Sequence, residues 1–410
     1  MTLEKYITLG APFLFCTSII LLPVQGTTPA FVLLLAFIAF LFISPNEYVA
    51  EIKVILYTAA LFIFFTLISQ FFISISHFSP EINLPTVSSV HSINPFQSSL
   101  FTQTIYLLPC LISYLIFRNL DFDSGMNIVK IAVWTLCLYG LYEVTYYLIF
   151  GMSGDFLSNR TYGEGDKEGS AFQVLQFAGL NILRLKSLTL EPSVFAYTVL
   201  PFFILFYYLE WTKSFLLSFL ALLLSTSGTF ILGFAVFLTY HFFSTMKSAL
   251  LNQTVKIFDL LLYVLFAALG LYFVIAFLDL FFEVYSFLES KFSGSSDSGL
   301  TRLAHFTIAF DYWWNDLNLG LKIFGVGFGI YRPTNMLTML LLNVGLVGLL
   351  AYISLFLVTA KTLPSNRVGT GLKIALYSHL FMSLASVPEF SVLSGWVLLG
   401  ISQSYINGNE

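Results

Sequence analysis

Four side chains that can do chemistry stand close together near the middle of the chain. Arg184 and Lys186 supply positive charge, and Glu191 and Ser193 supply a carboxylate and a hydroxyl. Pro192 fits the first turn of a helix, where its missing N–H costs nothing and the free backbone N–H groups attract anions. The segment predicts either an anion-binding site at the mouth of a membrane helix or an ordinary capped helix start. Both interpretations stay open at this point.

The composition sets the class of the protein. Of 410 residues, 58% are hydrophobic and only 10% are charged, and mean hydropathy is +0.86. Soluble domains are not built this way, whereas apolar runs of about 18 residues or more can each cross a membrane as a helix. The first run lacks a signal-peptide cleavage site, so we interpret it as a span. Cys16, Cys110 and Cys137 fall in apolar runs and are expected to be packing residues.

The sequence therefore predicts an all-α polytopic membrane protein with about twelve transmembrane helices. The expected spans are 7–24, 29–45, 53–76, 99–117, 128–150, 192–209, 214–226, 229–244, 257–280, 334–360, 372–387 and 390–405. The pair 214–226 and 229–244 can also be a single span, which would reverse the orientation of everything after it.

The distribution of Lys and Arg predicts the orientation. With both termini in the cytoplasm, the cytoplasmic ends and loops carry ten cations, and the outer loops 25–28, 77–98, 227–228 and 388–389 carry none. The other eight cations lie in two long periplasmic loops, 151–191 and 281–333. They are Arg160, Lys167, Arg184, Lys186, Lys291, Arg302, Lys322 and Arg332.

Arginine and lysine beside a membrane suit an anionic ligand at the bilayer surface, and a lipid-linked diphosphate sugar fits best. Sugar transfer from such a lipid needs cations for the leaving diphosphate and a base for the acceptor hydroxyl. The candidate catalytic residues are Glu191, Arg302 and His305. The candidate substrate-binding residues are Arg160, Arg184, Lys186, Ser193 and Arg332.

Each candidate also has a simpler explanation. Arg184 and Lys186 can anchor the loop to lipid headgroups, and His305 can be a surface residue of an amphipathic helix. Glu143 lies in an apolar span and is a functional candidate or a protonated partner of a neighbouring helix. We find no metal-ligand spacing and expect no metal.

Several short motifs resemble a known family. They are Leu183-Arg-Leu-Lys-Ser-Leu-Thr-Leu-Glu-Pro-Ser-Val-Phe-Ala196, Leu224-Ser-Thr-Ser-Gly-Thr229, Ser298-Gly-Leu-Thr-Arg302, Ile323-Phe-Gly-Val-Gly-Phe-Gly329, Asn335 and Asn343-Val-Gly-Leu-Val-Gly-Leu-Leu350. In this order, with two large outer loops, they are similar to bacterial Wzy-type O-antigen polymerases and the related O-antigen ligases. The resemblance covers residues from about 128 to 405, so the chain divides into spans one to four (1–127) and a core region (128–410).

The resemblance implies a GT-C-like glycosyltransferase of the bacterial inner membrane. It would polymerise undecaprenyl-diphosphate-linked oligosaccharide units at the periplasmic face, with Arg184, Arg302 and Arg160 handling the diphosphates and sugars. Thr334-Asn335 replaces the His-Asn pair that is typical of the ligases, which favours a polymerase. The implied partners are the lipid-linked oligosaccharides, the bilayer and a chain-length regulator protein, with no nucleic acid and no cofactor.

Two alternatives remain. A ligase would transfer finished polymer to the lipid A core, and a flippase would move lipid-linked oligosaccharides across the membrane. A transporter should carry paired ionisable groups or broken helices at mid-membrane depth.

Overall fold

The computed structural model describes residues 3–22, 27–43, 48–76, 95–160, 173–177, 180–252, 297–387 and 389–409. Their regular secondary structure is helical apart from one short antiparallel hairpin of strands β1 (Val174–Phe177) and β2 (Leu180–Leu183). The helices are α1 Leu3–Gly10, α2 Pro29–Ile43, α3 Val49–Ser76, α4 Ser98–Ile105, α5 Leu107–Asn119, α6 Phe122–Phe150, α7 Pro192–Tyr208, α8 Thr212–Ser225, α9 Gly228–Asn252, α10 Asp297–Asp311, α11 Leu319–Phe324, α12 Met336–Asn343, α13 Gly345–Thr362, α14 Arg367–Ser386 and α15 Leu393–Asn407.

The helices are those of a membrane protein. In the described part of the chain, four helical stretches are long and apolar enough to cross a bilayer: Val49–Ile75, Ser98–Asn119, Phe122–Phe150 and Gly345–Thr362. Three shorter apolar helices accompany them: Pro192–Tyr208, Thr212–Ser225 and Gly228–Phe243. The predicted all-helical membrane class is therefore confirmed, whereas the predicted number of about twelve spans is not. The predicted span 257–280 lies outside the described residues.

The central helix is α7. All of its residues except Ser193 and Tyr207 are buried. Phe203, at its middle, stacks on Phe215 of α8 and contacts Phe234 and Phe237 of α9. Because α7 packs on all sides, the loop that leads into it is held at a fixed place. The predicted helix start at Pro192 is confirmed.

Helices α8 and α9 settle the question of residues 214–244. They are two separate helices, because Thr226 adopts a left-handed conformation with φ +45° at the C-cap of α8. Phe219 of α8 contacts Phe234 of α9, and Phe203 contacts both helices, so the two form a hairpin against α7.

Eight of the basic residues lie at one end of the helix bundle. Ser124 at the start of α6 donates a hydrogen bond to Glu4, and Asn119 at the end of α5 donates to Glu51. Ser404 near the end of α15 donates to the carbonyl of Leu120. Asn366, before α14, donates to Tyr405 of α15, and Arg367 forms an ion pair with Glu210. We call this the basic end; the cations on the helix turns nearest to it are Lys5, Lys53, Arg118, Lys130, Lys213, Lys361, Arg367 and Lys373.

The first predicted span, 7–24, is wrong as a continuous helix. The chain leaves α1 at Gly10, forms one 3-10 turn over Ala11–Phe13, and then runs without regular structure. Pro12 favours the break because it cannot donate a helical hydrogen bond. The freed backbone groups find other partners: Ser18 donates its N–H to the carbonyl of Leu188 at 3.1 Å. Irregular backbone at membrane depth requires such internal partners.

The predicted span 334–360 is also interrupted. Helix α12 ends at Asn343 and α13 begins at Gly345, whose φ is +67°. A loop with three glycines, Gly325, Gly327 and Gly329, reaches this break: Gly325 packs against Asn343, and Gly327 donates its N–H to the Asn343 carbonyl at 2.9 Å. A Cβ on Gly325 would lie 2.4 Å from the Asn343 carbonyl oxygen, and a Cβ on Gly345 would lie 2.3 Å from the Ile323 carbonyl oxygen. The two glycine motifs of the sequence therefore form one ordered junction.

Candidate functional site

A cavity of about 180 Å³ opens at the other end of the bundle, which we call the cavity end. Among the residues that the structure describes, three charged side chains line it: Arg160, Arg332 and Glu389. The rest of its wall comes from the irregular segment at Leu14–Thr17, from side chains of several helices, and from the loops that carry Phe328 and Phe390. Both predicted regions of the chain, 1–127 and 128–410, contribute to this wall.

Glu389 connects the charged groups. Arg332 Nη2 donates a hydrogen bond of 2.6 Å to Glu389 Oε2, and Ser391 Oγ donates to Oε1 at 3.0 Å. The Glu389 side chain is 24% exposed and that of Arg332 is 40% exposed. The pair is therefore accessible from the cavity and still partly shielded from water.

Arg160 reaches the cavity because its loop is hydrogen-bonded to the irregular N-terminal segment. The backbone N–H groups of Asn159 and Arg160 both donate to the Ser18 carbonyl at 3.1 Å. The Asn159 side chain also bonds both backbone groups of Ile20, at 2.6 and 2.8 Å. Arg160 Nη1 in turn donates to the Thr17 carbonyl at 3.2 Å. The break in the first span is thus what positions this arginine.

Arg332 is positioned by the residue before it. Asn343 Oδ1 accepts the N–H of Tyr331 at 2.9 Å, and Asn343 Nδ2 donates to the Tyr331 carbonyl at 2.8 Å. Asn343 is almost fully buried at the end of α12. Its amide therefore fixes the backbone from which the Arg332 side chain extends.

The two arginines control the charge of Glu389. Burial raises the pKa of this carboxyl, but the guanidinium groups of Arg332 and Arg160 lower it by more, and the net pKa lies below its ordinary value of 4.5. Glu389 is accordingly ionised at neutral pH. With both arginines charged, the three groups carry a net charge of about +1.

Arg184 does not line this cavity. Its Nε donates to Thr226 Oγ1 at 3.1 Å, its Nη2 donates to the Thr226 carbonyl at 3.4 Å, and its Nη1 donates to the Gln173 side chain. The guanidinium thus bonds the tip of the α8–α9 hairpin and the residue that precedes β1.

Lys186 lies in a buried charged cluster. Its Nζ donates to Asp155 Oδ2 and lies 3.9 Å from Glu143 Oε1. Glu143 Oε2 accepts the N–H of Ser187 at 2.9 Å, and Tyr139 donates to Asp155 at 3.1 Å. Burial raises the pKa of the Asp155 carboxyl. The charge of Lys186, together with hydrogen bonds from Lys186 and Ser158, lowers this pKa by more, so the net shift is downward. Glu143, a candidate in the sequence, is here a partner of the loop 184–190.

The other predicted site residues are distributed as follows. Ser193 donates a hydrogen bond of 3.0 Å to Glu191, and both lie beside the cavity wall, because their neighbours Leu190 and Val194 line it. His305 is half-buried on α10 and does not line the cavity. Arg302 is also on α10, but its side chain lies outside the described residues.

Sequence reasoning missed Glu389, and a signal for it exists. Glu389 is the only Asp, Glu, Lys or Arg between Lys373 and Glu410. A single charge in so long an apolar stretch is a functional candidate by the same argument that singled out Glu143.

Among the described residues, the structure shows no group of three His, Cys, Asp or Glu side chains that could hold a metal ion.

Comparisons with known proteins add no relative to this description. The chain matches no protein-family model, no curated protein and no solved structure.

Proposed function

We propose that this protein is a membrane glycosyltransferase of the GT-C kind that polymerises undecaprenyl-diphosphate-linked oligosaccharide units. One observation carries the proposal: Arg160, Arg332 and Glu389 come from three distant parts of the chain and line a single cavity among apolar helices. Two guanidinium groups suit the oxygens of a diphosphate, and the apolar surroundings suit its lipid. The motif resemblance to Wzy-type polymerases gives the same class of substrate.

The reaction assigns a role to each of the three charged side chains. The acceptor hydroxyl oxygen attacks the anomeric carbon of the donor sugar, and the bond from that carbon to the diphosphate oxygen breaks. The electron pair leaves with the diphosphate, whose growing negative charge Arg160 and Arg332 neutralise. Glu389 accepts the proton of the hydroxyl, since it is ionised and its carboxylate has acceptor capacity beyond its bonds to Arg332 and Ser391.

In this proposal the cavity end faces the periplasm, and the basic end faces the cytoplasm of a bacterial inner membrane. The concentration of Lys and Arg at the basic end supports this orientation. The base is Glu389 rather than the candidate catalytic residues Glu191 and His305, because Glu389 lines the cavity together with two arginines.

A transporter of lipid-linked oligosaccharides is the second candidate, because one observation favours it. The irregular segment after α1 and the α12–α13 break both adjoin the cavity. Broken helices around a central site are typical of secondary transporters.

Deletion of the gene in its host, followed by analysis of the lipid-linked glycans, separates these functions. For a polymerase we expect single repeat units on the lipopolysaccharide core. Long chains that stay on the carrier lipid would indicate a ligase, and single units that stay inside the cell would indicate a flippase. Either result would contradict the proposal.

Complementation of the deletion strain tests the residues. Arg332→Ala and Arg160→Ala should not restore polymer, and Arg332→Lys should restore it only partly, because a point charge cannot replace the guanidinium fork. Arg367→Ala is the matched control, since Arg367 forms an ion pair with Glu210 at the basic end. Full-length polymer from both alanine variants, with normal protein amounts in the membrane, would refute the assignment.

A further inference from the structure

A second groove lies at the basic end, between the first part of α6 and the start of α8. Its volume is about 540 Å³. Two lysines, Lys130 and Lys213, and two tryptophans, Trp134 and Trp211, line it together with apolar and small polar side chains. It shares no lining residue with the arginine cavity, and the proposed glycosyl transfer does not use it.

Two lysine side chains give the groove a positive charge. Lys130 Nζ lies 4.8 Å from the centre of the Trp211 ring, and Lys213 is exposed. In the part of the chain that the structure describes, neither lysine forms an ion pair with a carboxylate. Glu210, the acidic residue next to Trp211, is paired with Arg367 instead. The groove therefore complements an anion.

The walls of the groove continue as an apolar surface along both helices. On α6, Ile131 and Leu138 line the groove and remain exposed. On α8, Leu216 and Leu220 are exposed beyond the groove. Exposed apolar side chains on a membrane helix face lipid tails, so an anion here is expected to be attached to a lipid.

The tryptophans place the groove at the level of lipid headgroups. Trp and Tyr concentrate where a membrane meets water, because their rings are apolar and their N–H or O–H groups are polar. Trp134 Nε1 donates a hydrogen bond of 2.9 Å to Ser214 Oγ and so connects α6 to the first turn of α8. This bond holds the two lysine-bearing helices at a fixed separation.

We propose that this groove binds an anionic glycerophospholipid of the leaflet at the basic end. Lys130 and Lys213 contact the headgroup phosphate, and the acyl chains lie along the exposed faces of α6 and α8. Basic pockets between membrane helices bind anionic lipid headgroups in this way. The bound lipid would stabilise the pairing of α6 with α8.

Lipid titration of the purified full-length protein tests the proposal. Thermal unfolding in detergent is measured with added phosphatidylglycerol, phosphatidylcholine or inorganic phosphate. We expect phosphatidylglycerol to raise the unfolding midpoint and phosphatidylcholine and phosphate to have no effect. Equal stabilisation by phosphatidylcholine would overturn the anionic specificity, and equal stabilisation by phosphate alone would overturn the lipid as occupant.

Two double variants locate the effect. Lys130→Gln with Lys213→Gln should weaken the apparent affinity for phosphatidylglycerol by about 30-fold, at about 1 kcal/mol for each lysine. Lys53→Gln with Lys361→Gln removes two exposed lysines of the same end that do not line the groove, and it should leave the affinity unchanged. Gel filtration and the midpoint without lipid verify that both variants fold. Equal losses of affinity in the two double variants would mean that the general surface charge attracts the lipid, and this would refute the site.

Discussion

Arg332 donates a 2.6 Å hydrogen bond to Glu389, a residue 57 positions later in the chain. Arg332 extends from the loop that precedes α12, and Glu389 lies in the short connection between α14 and α15. Arg160, from a third loop, is close enough to lower the pKa of the same carboxyl. This group of charges gives the cavity both an anion-binding side and a basic oxygen.

The first prediction concerns the pH dependence of this group. The folded pKa of Glu389 is below its ordinary value of 4.5, so ionisation of Glu389 stabilises the fold above pH 4.5. That stabilisation decreases as the pH falls below 4.5 and is lost once the pH passes the folded pKa. The difference in unfolding temperature between wild type and Glu389→Gln should accordingly be constant from pH 7 to pH 5 and become smaller below pH 5. A difference that grows toward low pH would contradict the lowered pKa of Glu389.

The second prediction concerns Asn343. Asn343→Leu removes both hydrogen bonds to the Tyr331 backbone and leaves two polar groups without them. The cost should be about 1–3 kcal/mol for each unsatisfied group. Arg332 directly follows Tyr331, so a displaced Tyr331 backbone also displaces Arg332. The affinity for a diphosphate lipid should therefore fall as well. Denaturant unfolding and a diphosphate-lipid binding assay measure the two effects, and loss of stability with unchanged affinity would separate Asn343 from the site.

The third prediction concerns the buried cluster around Lys186. Lys186→Met leaves the Asp155 carboxylate buried without its cation, which should cost about 3–5 kcal/mol. Asp155→Asn combined with Lys186→Met should cost less than the single Lys186 variant, because one unpaired charge is removed as well. Thermal unfolding of wild type, both single variants and the double variant measures this, and strictly additive losses would contradict direct coupling.

The fourth prediction separates two roles for Arg184. The sequence predicts that it binds substrate, and in the structure it bonds Thr226 and Gln173. If its role is to hold the α8–α9 hairpin, Arg184→Ala lowers the unfolding temperature and leaves diphosphate-lipid affinity unchanged. Loss of affinity at unchanged stability would instead establish the substrate-binding role.

The sequence predicted the features that depend on local chemistry. Hydropathy was sufficient for the membrane class, and Pro192 marked the start of α7. Hydropathy did not reveal the break in the first span, because that break depends on bonds from Ser18 to Leu188 and from Asn159 to Ile20. Hydrogen-bond partners so distant in the chain leave no periodic pattern in the sequence.

The site was predictable only in part. Arg160 and Arg332 were candidates by residue type and by the loops that carry them. Their common cavity was not predictable, since it requires the path of the whole chain between them. Glu389 was missed because it occupies a short connection with no motif around it.

Binding of a polyprenyl diphosphate to the purified protein tests the central claim most directly. The claim is that Arg160 and Arg332 together hold a lipid diphosphate. Each of Arg160→Ala and Arg332→Ala should weaken binding by about 10- to 100-fold, the value of one charge-assisted hydrogen bond of about 1.5–3 kcal/mol. Arg367→Ala, at the opposite end, should bind like wild type. Unchanged affinity in both cavity variants would contradict the account.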